Sequence, residues 1–353
     1  MTIIIQGLGT ATPPFHVTQK EAFEFFSANL PLTADEENLY RRILLDGKIK
    51  GRYLGMDAKT DALETDPDRL LARFVKFGRA TAVDAARRAM ADANVRAEDI
   101  RGLVVNTCTG YLCPGLSSYV AEDLHLNPSI RFMDLMGMGC GAAIPNLEAA
   151  AGMLARSGEG PVLSLAVEIC SATIFHGSDP GLVVSNSIFG DGAAAAVLDL
   201  HKEDSPQKGL ARIVDFESGL YPQYREDLRY HTEGGRLRNF LNKRVPIIGA
   251  RTAAEVGSRL LVRHGLTRKD IDWWAVHPGG TAVLEQVGKE LDLDKAKLRF
   301  SYGVFENFGN MSSPSVLFVL RDILDKGRPQ PGQKGMLLAF GAGFSAFAAL
   351  IDF

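Results

Sequence analysis

Two stretches of the chain repeat one pattern in the same order. Asn94–Val95–Arg96–Ala97–Glu98–Asp99–Ile100 leads into the apolar run Leu103–Asn106, and Gly265–Leu266–Thr267–Arg268–Lys269–Asp270–Ile271 leads into Trp273–Val276. Each reads as a helix end, a short loop, Asp-Ile and a β-strand. A second echo joins Gly190–Asp191–Gly192 with Ala193–Leu200 to Gly341–Ala342–Gly343 with Phe344–Phe353. Both are Gly-x-Gly turns feeding an Ala-rich strand that ends in Asp and an apolar residue. Two echoes in one order point to a duplicated α/β unit; the alternative is chance likeness between ordinary α/β units. We expect an N-terminal half over residues 1–205 and a C-terminal half over 206–353, a length that suits two halves sharing a core.

Short β-rich runs alternate with amphipathic ones, the pattern of an α/β protein. Strands are expected at Ile3–Ile5, Leu103–Asn106, Val162–Val167, Ala193–Leu198, Arg212–Phe216, Trp273–Val276, Gly335–Phe340 and Ala346–Ile351. Helices are expected at Phe77–Ala93, Gly141–Arg156, Ala250–His264, Thr281–Glu290 and Ser313–Leu324. The small side chains of Ala149–Ala155 suit a helix packed between two sheets. Leu30–Asp68 and Tyr221–Arg244 are charged and irregular, and read as insertions that carry substrate-handling loops.

A net charge of −3 lacks the basic excess of a nucleic-acid binder. No apolar run approaches the roughly 18 residues of a membrane span. The opening Met1–Gly7 has neither a basic n-region nor a long apolar one, so it reads as a first strand, and a cytoplasmic protein is expected. The cysteines are Cys108, Cys113, Cys140 and Cys170. No CxxC pair and no histidine at ligand spacing favours zinc, and a disulfide framework is not expected. The plain reading makes most of them small buried hydrophobes.

Cys140 stands apart. Glycine on both sides in Met138–Gly139–Cys140–Gly141–Ala142–Ala143–Ile144–Pro145 permits a tight turn, and a helix is expected to begin just afterwards, with Pro145 in its first turn. That position should stabilise a thiolate and lower the thiol pKa, as an activated nucleophile requires; the alternative is a buried cysteine before a helix. On this reading iodoacetamide should label Cys140 ahead of the other three. His277 ends the strand Trp273–Val276 and opens onto Pro278–Gly279–Gly280, which suits a group facing a cleft. Asn310, in Asn307–Phe308–Gly309–Asn310–Met311–Ser312–Ser313–Pro314, is expected just outside a helix N-terminus, where a capping role is the alternative. A thiolate that takes an acyl group, with His and Asn donating to a thioester oxygen, suits decarboxylative Claisen condensation.

Four blocks closely resemble the signatures of the chalcone and stilbene synthases. They are Gly139–Cys140–Gly141, Ile188–Phe189–Gly190–Asp191–Gly192–Ala193–Ala194–Ala195, Trp274–Ala275–Val276–His277–Pro278–Gly279–Gly280 and Phe308–Gly309–Asn310–Met311–Ser312–Ser313. Gly9–Thr10–Ala11–Thr12–Pro13–Pro14 fits as well, and the resemblance covers nearly the whole chain. It implies a thiolase-like fold, duplicated βαβαβαββ halves in a layered α-β-α-β-α arrangement, and a bacterial type III polyketide synthase. It implies Cys140, His277 and Asn310 as the catalytic triad and Phe189 as gatekeeper between a coenzyme A tunnel and the cavity. The second gatekeeper phenylalanine is replaced by Asn239, with Phe240 next door. The cavity would be set by Cys108 and Cys170 where the family has threonines, Thr173, Phe189, Asn239 and Phe344. Cys113 would reach the partner's cavity across a homodimer. Of the cations that hold coenzyme A phosphates only Arg42 is kept, with Lys48 and Lys50 as substitutes. The closing glycine loop is altered to Ala339–Phe340–Gly341–Ala342–Gly343. The implied substrates are acyl-CoA and malonyl-CoA, with no further cofactor, no metal, no nucleic-acid and no membrane partner. The implied product is an alkylresorcinol, an alkylpyrone or a related small aromatic.

Three alternatives stand beside this reading. A ketoacyl-ACP synthase III would condense once on an acyl carrier protein; the His-Pro-Gly-Gly block speaks against it, the sparse coenzyme A cations for it. A papain-like cysteine hydrolase shares the order Cys, His, Asn but not the duplicated halves. A non-catalytic thiolase-fold scaffold would tolerate loss of Cys140.

Overall fold

The structure is a computed structural model that describes residues 2–158, 160–200 and 209–353. The strands are β1 (Ile3–Ala11), β2 (Phe15–Thr18), β3 (Gly51–Leu54), β4 (Gly102–Asn106), β5 (Arg131–Leu135), β6 (Val162–Glu168), β7 (Gly192–Leu200), β8 (Ala211–Leu220), β9 (Leu228–Glu233), β10 (Arg236–Leu241), β11 (Trp273–Val276), β12 (Lys334–Gly341) and β13 (Ser345–Asp352). The helices are α1 (Gln19–Asn29), α2 (Ala34–Leu44), α3 (Pro67–Ala93), α4 (Leu116–Asp123), α5 (Ala143–Ser157), α6 (Pro180–Ile188), α7 (Val245–Arg263), α8 (Thr281–Leu291), α9 (Arg299–Phe308) and α10 (Ser315–Asp322).

Nine strands join in the order β11-β12-β13-β8-β1-β7-β6-β4-β5. The order is a duplication laid end to end. β1 pairs antiparallel with β7, β7 antiparallel with β6, and β6 parallel with β4. In the same way β8 pairs antiparallel with β13, β13 antiparallel with β12, and β12 parallel with β11. The two sheets that the sequence echo predicts meet along a short seam, Ile3–Ile5 against Ala211–Ile213. The expected boundary at residue 205 lies outside the described residues.

Alternation along the strands builds the layers. Ala193, Ala195 and Val197 of β7 face α3, while Ala194, Ala196 and Leu198 face the buried helices α5 and α10. In β13, Phe347, Ala349 and Ile351 face those same helices, and Ala346, Ala348 and Leu350 face α7 and α8. The result is helix, sheet, helix, sheet, helix. Leu147 at the middle of α5 is 1% exposed, and truncating a leucine so placed costs about 2–5 kcal/mol.

The long segments expected as irregular are more ordered than their charge suggests. Leu30–Asp68 contains α2 and β3, and with α1 and β2 it forms a cap with its own small core around Phe23, Phe26 and Tyr40. Tyr221–Arg244 contains the hairpin β9–β10. The edge strand β5 was not expected, because Arg131–Phe132–Met133–Asp134–Leu135 leaves almost every side chain exposed and so shows no buried face.

Candidate active site

The carboxyl ends of β4, β6 and β11 open onto one crevice, the usual place for a site in an α/β sheet. Each delivers a polar group directly beyond an apolar strand: Cys108 after β4, Glu168 as the last residue of β6, and His277 after β11. Cys140 arrives from the opposite direction, in a single tight turn (Gly139–Gly141) that feeds α5. That turn is clamped by the closing loop. A Cβ on Gly341 would lie 2.2 Å from the Met138 carbonyl oxygen, and one on Gly139, whose φ is +58°, 2.8 Å from the Ala342 nitrogen.

Asn310 is not a helix cap. α10 begins at Ser315, and the Asn310 backbone instead bridges to Phe189: its N–H donates to the Ile188 carbonyl (2.8 Å) and its carbonyl accepts from the Gly190 N–H (3.0 Å). Gly309 makes this approach feasible, since a Cβ there would lie 2.4 Å from the Ile188 oxygen. The Asn310 side chain accepts from the Ser312 N–H (2.8 Å) and donates to the carbonyl of Gly279, two residues beyond His277 (3.3 Å). Ser312 in turn stands 3.6 Å from the Cys108 sulfur, and its hydroxyl favours the Cys140 thiolate. Cys140, Ser312, Asn310 and the His277 loop are therefore one connected constellation. No hydrogen bond joins Cys140 to His277 among the described residues.

The electrostatics correct one expectation. Burial pushes the Cys140 thiol from its ordinary 9.0 up to about 12; the Ser312 hydroxyl pulls it down and Glu168 pushes it further up. A helix end acts through roughly half an elementary charge, and here desolvation outweighs it. His277, 1% exposed, is pushed down to about 3 by burial alone, and its Nδ1 has no hydrogen-bond partner. The resting pair is thus a neutral thiol and a neutral imidazole, not a thiolate beside an imidazolium.

Glu168 escaped the sequence reading, although a lone acid ending the otherwise apolar Val162–Val167 was its signal. It is fully buried and accepts from the Cys108 N–H (2.9 Å), the Cys108 thiol (3.3 Å) and the hydroxyls of Thr107, Thr109, Ser312 and Ser313. Burial raises its pKa, and the Cys108 N–H and the Ser313 hydroxyl lead the bonds that pull it back. Ser312 was likewise missed, as was Tyr230, whose hairpin carries no motif.

Three spaces surround these groups. A small cavity of about 20 Å³ is walled by Cys140, Cys108, Ser312, Phe189, Tyr230 and Asn239. A side chamber of about 40 Å³ shares Phe189, Tyr230 and Asn239 with it and adds Cys170 and Thr173. Tyr230 stands at the neck, 3.2 Å from the Thr173 hydroxyl. A groove of about 690 Å³ runs from Arg42, Lys48 and Lys243 to Gly279 and Gly280 of the His277 loop. Alternation along β10 separates Asn239 from its neighbour: Asn239 faces the two inner spaces, Phe240 the groove. Lys50 does not line the groove and pairs with Glu306 (2.8 Å). Phe344 corrects another expectation. It is fully buried, stacked on Phe340 in the outer core, and lines none of the three spaces. Cys113 is exposed on the surface of the single chain. No group of three or more His, Cys, Asp or Glu side chains placed to hold a metal occurs among the described residues.

Two related halves, with a cysteine turn from one meeting a histidine loop and an asparagine turn from the other, define a thiolase-fold condensing enzyme. Comparison with known proteins narrows the class. Residues 12–219 match the family model for FAE1/type III polyketide synthase-like proteins, and residues 222–352 match that for the C-terminal domain of chalcone and stilbene synthases. A 3,5-dihydroxyphenylacetyl-CoA synthase of Streptomyces toyocaensis is 31% identical over 99% of this chain and 89% of its own. An alpha-pyrone synthesis polyketide synthase-like protein of Mycobacterium tuberculosis is 29% identical over 99% and 91%. The solved structure of PKS-I from the brown alga Ectocarpus siliculosus superposes with a TM-score of 0.92 at 29% identity, covering 99% of this chain and 98% of that one. The chain belongs to the type III polyketide synthase family.

Proposed function

We propose that this type III polyketide synthase loads an acyl starter from acyl-CoA onto Cys140 and extends it with malonyl-CoA. It then cyclises the chain to an alkylresorcinol, an alkylpyrone or a related small aromatic. The observation that carries the reading is the groove that runs from Arg42, Lys48 and Lys243 to the His277 loop, because it offers cations for phosphates at one end and apolar walls for a pantetheine arm along its length. His277 receives the Cys140 proton as sulfur attacks the starter thioester, which a neutral imidazole can do, and passes it to the departing coenzyme A sulfur as the acyl–sulfur bond breaks. His277 and Asn310 then donate to the malonyl thioester oxygen as CO₂ leaves. Asn310 is free to do so because its 3.3 Å bond to Gly279 is long. Coenzyme A thioesters suffice as substrates, with no carrier protein and no further cofactor, in the cytoplasm.

The same reading makes the chain a homodimer. β5 is one of the two edges of the sheet, and Phe132 on it is 68% exposed, with Met133, Met136 and Tyr111 exposed beside it. An apolar edge strand of this kind is a template for pairing, and Cys113 lies in the adjoining loop.

Labelled malonyl-CoA supplied without carrier protein tests the division of labour. Cys140→Ala should still convert malonyl-CoA to acetyl-CoA while forming no polyketide. His277→Ala and Asn310→Ala should each lose both steps, by about 10²–10³ per donor removed. A folded Cys140→Ala protein that does not decarboxylate would refute these roles.

A further inference from the structure

The molecule treats its buried charges unequally. Glu168 is surrounded by donors, but Arg52 is not matched in the same way. Arg52 is 3% exposed. Its Nε donates to Gln19 Oε1 (2.9 Å), and its Nη1 to the carbonyls of Asn186 and Phe189 (2.7 Å each). All three acceptors are neutral. Among the described residues its Nη2 donates to no acceptor and no carboxylate forms an ion pair with it. The carboxylate that acts on it most is Asp191, whose oxygens are taken by the Gly55 N–H and by the N–H and hydroxyl of Ser171. A guanidinium has five N–H groups, and a buried charge without a counter-ion is heavily penalised. Burial lowers its pKa to about 10, which leaves it charged at neutral pH.

Arg52 lines the side chamber. Its aliphatic stem passes 3.1 Å from where a Gly309 Cβ would stand, so its base lies beside the Asn310 turn. The other walls are largely apolar, with Phe25 and Phe26 from α1, Leu54 and Met56 around β3, and Leu182 from α6. Lys59 also lines the chamber, but its ammonium is engaged by Glu21 at 3.0 Å. An apolar box with one buried, unpaired cation in its wall fits a ligand that is apolar along its length and anionic at its end.

We propose that the side chamber receives the far end of the starter and that Arg52, through Nη2, binds a terminal carboxylate there. The preferred starters are then coenzyme A monothioesters of aliphatic dicarboxylic acids. The proposal rests on the reading that Cys140 is loaded from acyl-CoA, and it adds which acyl groups the site selects. Arg52 is in this sense a specificity-determining residue and takes no part in bond making.

The test uses the full chain, malonyl-CoA as extender and starter pairs matched in length: hexanoyl- against adipyl-CoA, octanoyl- against suberyl-CoA, decanoyl- against sebacyl-CoA. One length should favour the dicarboxylic member by about 10- to 100-fold in kcat/KM, the strength of a charge-assisted hydrogen bond, and the others much less. Arg52→Gln should bring that ratio to near one. If Arg52→Gln does not fold, Leu182→Phe, which fills the chamber and leaves the guanidinium in place, should move the optimum to a shorter chain. Wild-type enzyme that extends alkanoyl starters with no dicarboxylic preference at any length overturns the proposal and leaves the loading reading intact, the spare donor being served by water. Extension of neither kind of starter would sink the loading reading, and this proposal with it.

Discussion

Alkylation of Cys140 should climb with pH and find no plateau. The structure raises its thiol from 9.0 to about 12, so at pH 8 about one molecule in 10⁴ carries the thiolate, against roughly one in ten for an unshifted thiol. A more basic thiolate is also a better nucleophile. With a Brønsted slope of about 0.4–0.5 the thousandfold deficit shrinks to roughly 30- to 60-fold. Iodoacetamide inactivation, followed by peptide mass spectrometry from pH 6.5 to 9.5, should therefore rise about tenfold per pH unit, because thiolate is the reacting species throughout. Ser312→Ala removes the hydroxyl bond that favours the thiolate and should slow labelling about 2- to 10-fold further, the worth of one hydrogen bond. The order expected from the sequence is reversed: the exposed Cys113 should be labelled before Cys140 in the single chain. A labelling profile for Cys140 that levels off with a midpoint below about pH 8 would mean that the helix end outweighs burial, and this reasoning would be wrong.

Acid stability should report on His277. Its pKa is about 3 folded and near 6.5 unfolded, so between those values the unfolded chain binds more protons, and stability is lost as pH falls through that window. The full gap is worth roughly 5 kcal/mol; Asp191, held up to about 6 by burial, acts with the opposite sign above 3.8. The difference in denaturant midpoint between wild type and His277→Gln isolates the histidine, and identical pH slopes in the two would contradict its buried neutral state. Cys170→Phe, in the side chamber, should shift starter preference to shorter chains, and Cys108→Phe, beside Cys140, should shorten the product, since a packed wall absorbs added volume poorly. Unchanged product profiles for both would place the acyl site elsewhere. Phe132→Asp on β5 should yield monomers by sedimentation at micromolar concentration; an unaltered dimer would move the interface away from this edge.

What could be read in advance follows the physics of each signal. Strands buried on both faces announce themselves as apolar runs, and all eight expected strands are present, the parallel and antiparallel ones alike, most of them longer by one to a few residues. Trp273–Val276 matches to the residue because Asp272 and His277, polar on either side, bound it. Half-exposed elements were lost. The amphipathic α1 and α2 were hidden among charges, and β5 has no buried face to betray it. In the site, Cys140, His277 and Asn310 stand out by their glycine-bounded turns. Glu168, Ser312, Tyr230 and Arg52 owe their positions to contacts between residues far apart in the chain, as in the 33-residue separation of the Arg52–Gln19 bond. The pKa of Cys140 was misjudged for a related reason. A helix end is visible in sequence, whereas the depth of a cavity is not.

The duplication explains why the site sits where it does. Each half contributes one buried helix to the shared middle layer, α5 from the first and α10 from the second. The residues just ahead of each helix are held at the carboxyl ends of the strands, so the Cys140 turn and the Asn310 turn must meet across the pseudo-symmetric centre. Polar side chains fasten that meeting. Ser313, two residues before α10, donates to Glu168 at the end of β6 (2.7 Å) and accepts from Asn106 at the end of β4 (2.8 Å). Asn106 accepts from Asn146 on α5 (2.8 Å), which itself accepts from Ser164 on β6 (2.7 Å). A fully satisfied buried network of this kind specifies one geometry, because any slip of one half against the other would leave several of its groups unpaired in a dry interior. The seam between the sheets is only three residues long, so it cannot set the register of the halves alone. That task falls to the polar network, and the same residues that align the halves therefore place Ser312 beside Cys108 and Cys140.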